Sequence, residues 1–183
     1  MVPKISDFGL AQIFGGDQIE ARTKRVIGTR GYMAPEYVLD GRFSDKSDVF
    51  SFGVILLEII SGKRNKCFSH PGHQFNLLGH AWRLWNESKY MKLVDESMSN
   101  SCVVKDVLRC IHVGLLCVQK SIEQRPKMSC VVVMLGCETI VLPRPQPPGF
   151  YVERSSPVGE EPCCSYKESC ISNEVTMTLL EGR

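Results

Sequence analysis

Apolar residues crowd one stretch of this chain and recur at helical spacing in others. Between Val49 and Ile60 they fall on nearly every side of a helix: Val49, Phe50, Phe52, Val54, Ile55, Leu56, Leu57, Ile59 and Ile60. A helix that is apolar all round belongs at the centre of a fold. Ser44-Asp45-Lys46-Ser47 supplies its start signal, and Gly62 just past Ser61 supplies its stop. Asn76 to Glu87 suits a second helix, with Leu77, Leu78, Ala81, Trp82 and Trp85 apolar. Val104, Leu108, Ile111, Leu115 and Val118 repeat every three or four residues, which predicts an amphipathic helix over 103–119. These tryptophans and this stripe read as core. Pro35 to Leu39 suits a short helix with Pro35 in its first position. Ser129 is the expected cap of a last short helix ending near Cys137. Residues 1–33 and 63–75 read as loops, and no strand pattern of any length is evident. The expected fold class is mainly α.

At Pro143 the pattern ends. Of the ten prolines, Pro143, Pro145, Pro147, Pro148, Pro157 and Pro162 fall in one short stretch, followed by a Ser/Thr/Glu-rich terminus. Such a composition buries too little apolar surface to offset the entropy of ordering it. The expected organisation is a folded body at 1–142 and a Pro/Ser-rich disordered tail at 143–183. No internal repeat is present.

Charge and cysteine usage narrow the classes. The net charge of +2 is too small to suggest nucleic acid or an anionic membrane surface as partner. The apolar run at 49–60 carries Ser51 and Glu58 and falls short of the roughly 18 residues of a membrane span. The sequence opens with no signal-peptide or transit pattern. The nine cysteines are odd in number and form no C-x-x-C pair, so they read as buried free thiols in a reducing compartment. Cys163, Cys164 and Cys170 do not match a usual zinc spacing, and His70-Pro71-Gly72-His73 reads as loop.

The candidate chemistry lies in four motifs whose order is informative. Asp7-Phe8-Gly9 sits within Lys4-Ile5-Ser6-Asp7-Phe8-Gly9-Leu10-Ala11. Gly28-Thr29-Arg30-Gly31-Tyr32-Met33-Ala34-Pro35-Glu36-Tyr37 follows, then Ser47-Asp48-Val49-Phe50-Ser51-Phe52-Gly53-Val54, and finally Arg125-Pro126. A D-F-G followed at this distance by an A-P-E brackets a protein-kinase activation loop. From residue 3 to about 142 the chain resembles the C-terminal half of a protein kinase, most closely the plant receptor-like serine/threonine kinases. The ending Ser172-Asn173-Glu174-Val175-Thr176-Met177-Thr178-Leu179-Leu180-Glu181-Gly182-Arg183 is similar to that of the S-locus, or G-type lectin, subgroup. Cysteine-rich receptor-like kinases are the nearest rival.

The resemblance implies a partial kinase fold, the C-lobe from the activation loop onward, and a role for each motif residue. Asp7 corresponds to the carboxylate that holds Mg²⁺ against the ATP phosphates in a complete kinase. Phe8 packs beside it, and Gly9 gives the backbone freedom to switch. Thr23, between Arg22 and Lys24-Arg25, matches the position phosphorylated in many members; a phosphate there orders the loop by pairing with arginines. Thr29 matches the threonine facing the substrate hydroxyl, which favours Ser/Thr substrates. Glu36 and Arg125 match a buried ion pair tying the end of the loop to the last helices. Asp48 matches the carboxylate that accepts hydrogen bonds from the catalytic-loop backbone.

Phosphoryl transfer also needs groups that residues 1–183 do not contain. There is no G-x-G-x-x-G phosphate cover, no V-A-I-K lysine and no H-R-D base. No catalytic and no cofactor-binding residue is therefore assigned, and Asp48 is expected to be exposed or without its partners. ATP and Mg²⁺ are cofactors of the complete family, with none expected on this chain alone. Met1 reads as an internal methionine of a longer protein. The expected function is a fragment of a receptor-like serine/threonine kinase, inactive by itself. The alternative is a noncatalytic interaction or decoy module. Protein substrates or partner kinases belong to the complete family, docking through exposed C-lobe surface is the further expectation, and nucleic acid is not a partner. The chain is expected in the cytoplasm, the parent at the plasma membrane with its kinase domain on the cytoplasmic side.

Overall fold

A computed structural model describes Lys4, Phe8, Ala11 and residues 20–29, 31–65, 76–99 and 102–150, Ser99 by its backbone alone. The expectations placed on Asp7, Gly9, the His70/His73 loop, four of the cysteines (Cys67, Cys163, Cys164 and Cys170) and the terminal signature lie outside these residues.

The elements run in the order β1 (Glu20–Arg22), α1 (Pro35–Asp40), β2 (Arg42–Ser44), α2 (Asp45–Ser61), α3 (Leu77–Asn86), a 3-10 turn (Tyr90–Leu93), α4 (Glu96–Ser99), α5 (Val104–Cys117) and α6 (Met128–Gly136). Helix dominates, as the apolar periodicity requires. The start of α2 is closed by a reciprocal cap: the Ser44 hydroxyl accepts from the Lys46 amide, and the Ser47 hydroxyl accepts from the Ser44 amide. Gly62 ends it in the left-handed region at φ 63°. Asn76 caps α3 by accepting from the Gly79 amide at 2.8 Å.

Helix α2 packs chiefly against α5, with α3 alongside. Phe50, Val54, Leu57, Leu77, Leu78, Ile111 and Leu115 form the fully buried centre. The two long helices approach closely because glycines face each other. A Cβ on Gly53 would lie 2.6 Å from Cys117 Cβ and 2.8 Å from Val118 Cγ1, and one on Gly114 would lie 3.0 Å from Leu57 Cδ2.

Five expectations are corrected. Two short strands exist: β1 and β2 pair antiparallel with Ala21 opposite Phe43. Three residues are too few for an alternation to show in the sequence. Helix α2 is not buried on all sides, because Ile55 (45% exposed) and Ile59 (62%) face away from α3 and α5. Helix α6 begins at Met128 with Lys127 as its cap residue, so Ser129 lies inside it. The Val131 amide already donates to the Lys127 carbonyl, which sets the start before Ser129. Among the described thiols Cys117 is buried, Cys102, Cys110 and Cys137 are half-buried, and Cys130 is exposed. Burial pushes the Cys117 thiol up to about 12. Finally, Pro143–Phe150 do not behave as a loose tail: Pro145, Pro148 and Gly149 are buried against the body.

The glycine contact yields a test. Gly53→Leu overpacks the α2–α5 crossing and costs about 1–3 kcal/mol in urea unfolding. Ile59→Ser, on the outward face of the same helix, changes stability by less than about 0.5 kcal/mol. Equal losses would mean the two helices do not cross at Gly53.

Candidate functional site

The segment from Thr23 to Glu36 is held at both ends. At the first end the Thr23 amide donates to the Gly41 carbonyl at 2.9 Å, and the Thr23 hydroxyl closes a local turn with the Arg25 backbone. Gly41 caps α1 at φ 65°, and a Cβ there would lie 2.2 Å from the Thr23 carbonyl oxygen. Only glycine lets the strand of residue 23 pass so close to the end of α1. Between the ends, the Tyr37 hydroxyl accepts from the Ile27 amide and donates to the Ile27 carbonyl. The Tyr32 hydroxyl donates to Glu58 at 2.8 Å. The Asn65 side-chain amide donates to the Gly31 carbonyl at 2.8 Å, and the Asn65 backbone donates to Glu58 at 2.6 Å.

The second end is the most buried charged group of the described body. Arg125 is 1% exposed and Glu36 6%. Arg125 Nη1 and Nη2 reach the two Glu36 carboxylate oxygens at 2.8 and 2.9 Å. Its remaining donors go to carbonyls: Nε to Gln119 at 2.8 Å, Nη1 to Lys46 at 3.1 Å and Nη2 to Lys120 at 3.3 Å. A guanidinium has five N–H donors, and all five are used. The Ser47 hydroxyl donates to Glu36 at 2.9 Å, and the Phe50 ring lies 5.0 Å from the guanidinium carbon. Burial alone would raise the Glu36 carboxyl, but the hydrogen bonds and charge of Arg125 outweigh it and lower it.

Between this pair and the Thr23 turn lies an open cavity of about 620 Å³, lined by Thr23, Thr29, Tyr32, Ser47, Asp48 and Ser51 among others. The structure thus brings Thr23, Thr29 and Asp48 to one concavity. Thr29 is exposed, and its carbonyl accepts from the Tyr32 amide at 3.3 Å. Asp48 is exposed at the rim, and no donor among the described residues reaches its carboxylate. Partial withdrawal from water, then the neighbouring Asp45, raises its pKa. Phe8 is 66% exposed.

Sequence reasoning missed Gln119, Asn65 and Glu58. Each is a polar residue at or beside an apolar helix end, and its role depends on partners far away in the chain. Among the described residues no group of three or more His, Cys, Asp or Glu could hold a metal ion. Mg²⁺ needs only one or two carboxylates beside phosphates and water, and Asp7, the carboxylate expected to hold it, lies outside the described residues.

Residues 1–135 match the family described as protein tyrosine and serine/threonine kinase, and residues 137–183 match a domain of unknown function, DUF3403. Receptor-like serine/threonine-protein kinase SD1-7 of Arabidopsis thaliana is 50% identical over 188 residues, covering 100% of this chain and 22% of its own length. G-type lectin S-receptor-like serine/threonine-protein kinase SD1-1 of the same plant is 52% identical, again over 100% of this chain and 22% of its own. Cysteine-rich receptor-like protein kinase 8, also from Arabidopsis thaliana, is 53% identical over 85% of this chain and 23% of its own length. The chain thus spans under a quarter of these relatives.

The buried pair sets two outcomes. Arg125→Ala leaves Glu36 buried without its partner and costs about 3–5 kcal/mol in chemical denaturation; a loss below about 0.5 kcal/mol would show that the pair does not form. Because the folded Glu36 pKa is lowered, its contribution is present above the unfolded pKa and is lost as pH falls through the folded one. Glu36→Gln therefore removes part of the acid dependence of stability in a pH series of unfolding curves. An unchanged acid limb would contradict the assignment.

Proposed function

Because this chain belongs to the protein tyrosine and serine/threonine kinase family, within its receptor-like serine/threonine branch, we propose that it supplies the activation segment and the helical floor on which a protein substrate is presented for phosphorylation. The observation that carries this reading is the fully satisfied Glu36–Arg125 pair. It fixes the end of the segment whose other residues, Thr23 and Thr29, line the cavity. In this reading Thr29 faces the incoming hydroxyl, and the substrates are serine and threonine side chains. Thr23 takes the activating phosphate, on a turn flanked by Arg22, Lys24 and Arg25. Asp48, at the cavity rim and unpartnered among the described residues, receives backbone amides of a catalytic loop.

Kinases of this family use ATP and Mg²⁺, which neutralises charge on the transferring phosphoryl group. In this chain Asp7 is the proposed metal ligand. The groups that cover the phosphates and take the hydroxyl proton do not occur in residues 1–183, so these residues alone do not transfer phosphate. Among the described residues no helix is long and apolar enough to cross a membrane. The receptor names of the relatives support placement on the cytoplasmic side of a membrane protein. A noncatalytic docking module is the second reading. It is favoured by the apolar side chains Phe8, Ile55 and Ile59, which stand open to water.

A transfer assay separates the two. Residues 1–183 with MgATP and a generic protein substrate give no phosphate incorporation above background. Adding in trans a polypeptide that carries the G-x-G-x-x-G, V-A-I-K and H-R-D motifs of a receptor-like kinase restores incorporation, and Asp7→Asn abolishes it. Transfer by the 183 residues alone, lost on Asp7→Asn, would overturn the reading of inactivity. Failure of the added part to bind or restore would favour the docking module.

A further inference from the structure

The polypeptide that follows α6 returns to the site. Residues 143–150 run across the outside of the Gln119–Lys120 backbone. The Lys120 amide donates to the Pro147 carbonyl at 3.1 Å, and the Gly149 amide donates to the Val118 carbonyl at 2.9 Å. Gln119 and Pro148 form an antiparallel bridge. The Gln146 amide donates to the Gln119 side-chain oxygen at 2.7 Å. Prolines have no N–H, so this stretch has only four backbone donors, and those of Gln146 and Gly149 point inward. Four prolines also hold the stretch extended before it docks, so little entropy is lost on ordering it. This is why a composition typical of disorder is ordered here.

The opposite side of the same two residues holds the ion pair. The Gln119 and Lys120 carbonyls both accept from Arg125. The Gln119 side-chain amide donates to the Leu116 and Gln124 carbonyls, so its oxygen is left to accept from Gln146. Phe50, whose ring faces the guanidinium, meets Phe150 edge-on at 6.3 Å between centroids. Gly149 presses on Pro35, next to Glu36: a Cβ there would lie 2.5 Å from Pro35 Cγ and 3.1 Å from Phe50 Cε2. Residues 145–150 thus touch both halves of the pair's surroundings, the A-P-E turn on one side and the Arg125 acceptors on the other.

We propose that Pro145–Phe150, part of the stretch that matches a domain of unknown function, is a strap that seals the Glu36–Arg125 pair from water and so positions the end of the activation segment. Gln146 and Gly149 are positioning residues in this device. They act through Gln119 and Pro35 and touch neither partner of the pair. The strap rests on the observed packing alone and stands whether or not the chain supports phosphoryl transfer.

The test reads the pair directly. In the 183-residue chain, exchange of the Arg125 Nε–H with solvent is followed by NMR, with global stability measured alongside. Gln146→Pro removes one inward donor from a stretch already rich in proline. Gly149→Ala introduces the clash with Pro35. Val141→Ser, at a position 92% exposed, is the control. Each strap variant, while still folded, is expected to speed Arg125 Nε–H exchange by about tenfold or more through local opening, and the control is expected to leave it unchanged. A synthetic peptide of residues 143–152 is expected to slow exchange again in a chain ending at Leu142. In a double-mutant cycle the stability loss of Gln146→Pro is expected to shrink when Arg125 is replaced by Met. Unchanged exchange in folded Gln146→Pro, or fully additive losses, would overturn the proposal. If the shortened chain and Gly149→Ala fail to fold, Gln146→Pro alone decides.

Discussion

Two charges buried together determine how the rest of this body is arranged. Taking a carboxylate and a guanidinium out of water costs several kcal/mol each, and their attraction repays it only when every other donor and acceptor is satisfied. Here the satisfaction comes from four groups on two separate segments: Ser47 and the Lys46 carbonyl at the start of α2, and the Gln119 and Lys120 carbonyls after α5. Residues 36 and 125, which are 89 positions apart, can be satisfied as a pair only if both of these segments arrive in register. An apolar pair of equal volume could be as stable, but it would tolerate sliding that a two-pronged, five-donor contact does not. The pair therefore acts as a registry device for the Ala34-Pro35-Glu36 turn.

The core supplies the frame on which that registry rests. Gly53 and Gly114 let α2 and α5 approach, which places the first turn of α2 below the A-P-E turn and the end of α5 beside Arg125. The opposite side of α2 remains uncovered, with Ile55 and Ile59 exposed, and α6 likewise shows Val132 and Val133. These positions have the composition of core without its neighbours.

Much of this was legible in order of residues. The long helices, the start of α2 at Ser44 and its stop at Gly62, and the motif series from Asp7 to Arg125 follow from local chemistry: 3.6-residue periodicity, side-chain oxygens that cap amides, and glycine at positive φ. Membership in the kinase family follows as well, because the motifs come in a fixed order. What a linear reading could not weigh was coverage. It took α2 as buried all round, where one face has no neighbour. It took Pro143–Phe150 as tail, where the Gly149 amide finds the Val118 carbonyl and the Gln146 amide finds the Gln119 side-chain oxygen.

The sequence by itself determined where the long helices lie, where α2 starts and stops, and which family the motif order indicates, since each depends on local residue patterns. The tertiary structure alone decided that Gln119 stands between Arg125 and the strap, that Asn65 and Glu58 hold the Gly31–Tyr32 turn, and which apolar faces meet water. Those outcomes depend on contacts between distant segments. A polar side chain acquires its role from the partner that folding brings to it, and no local pattern marks that partner in advance.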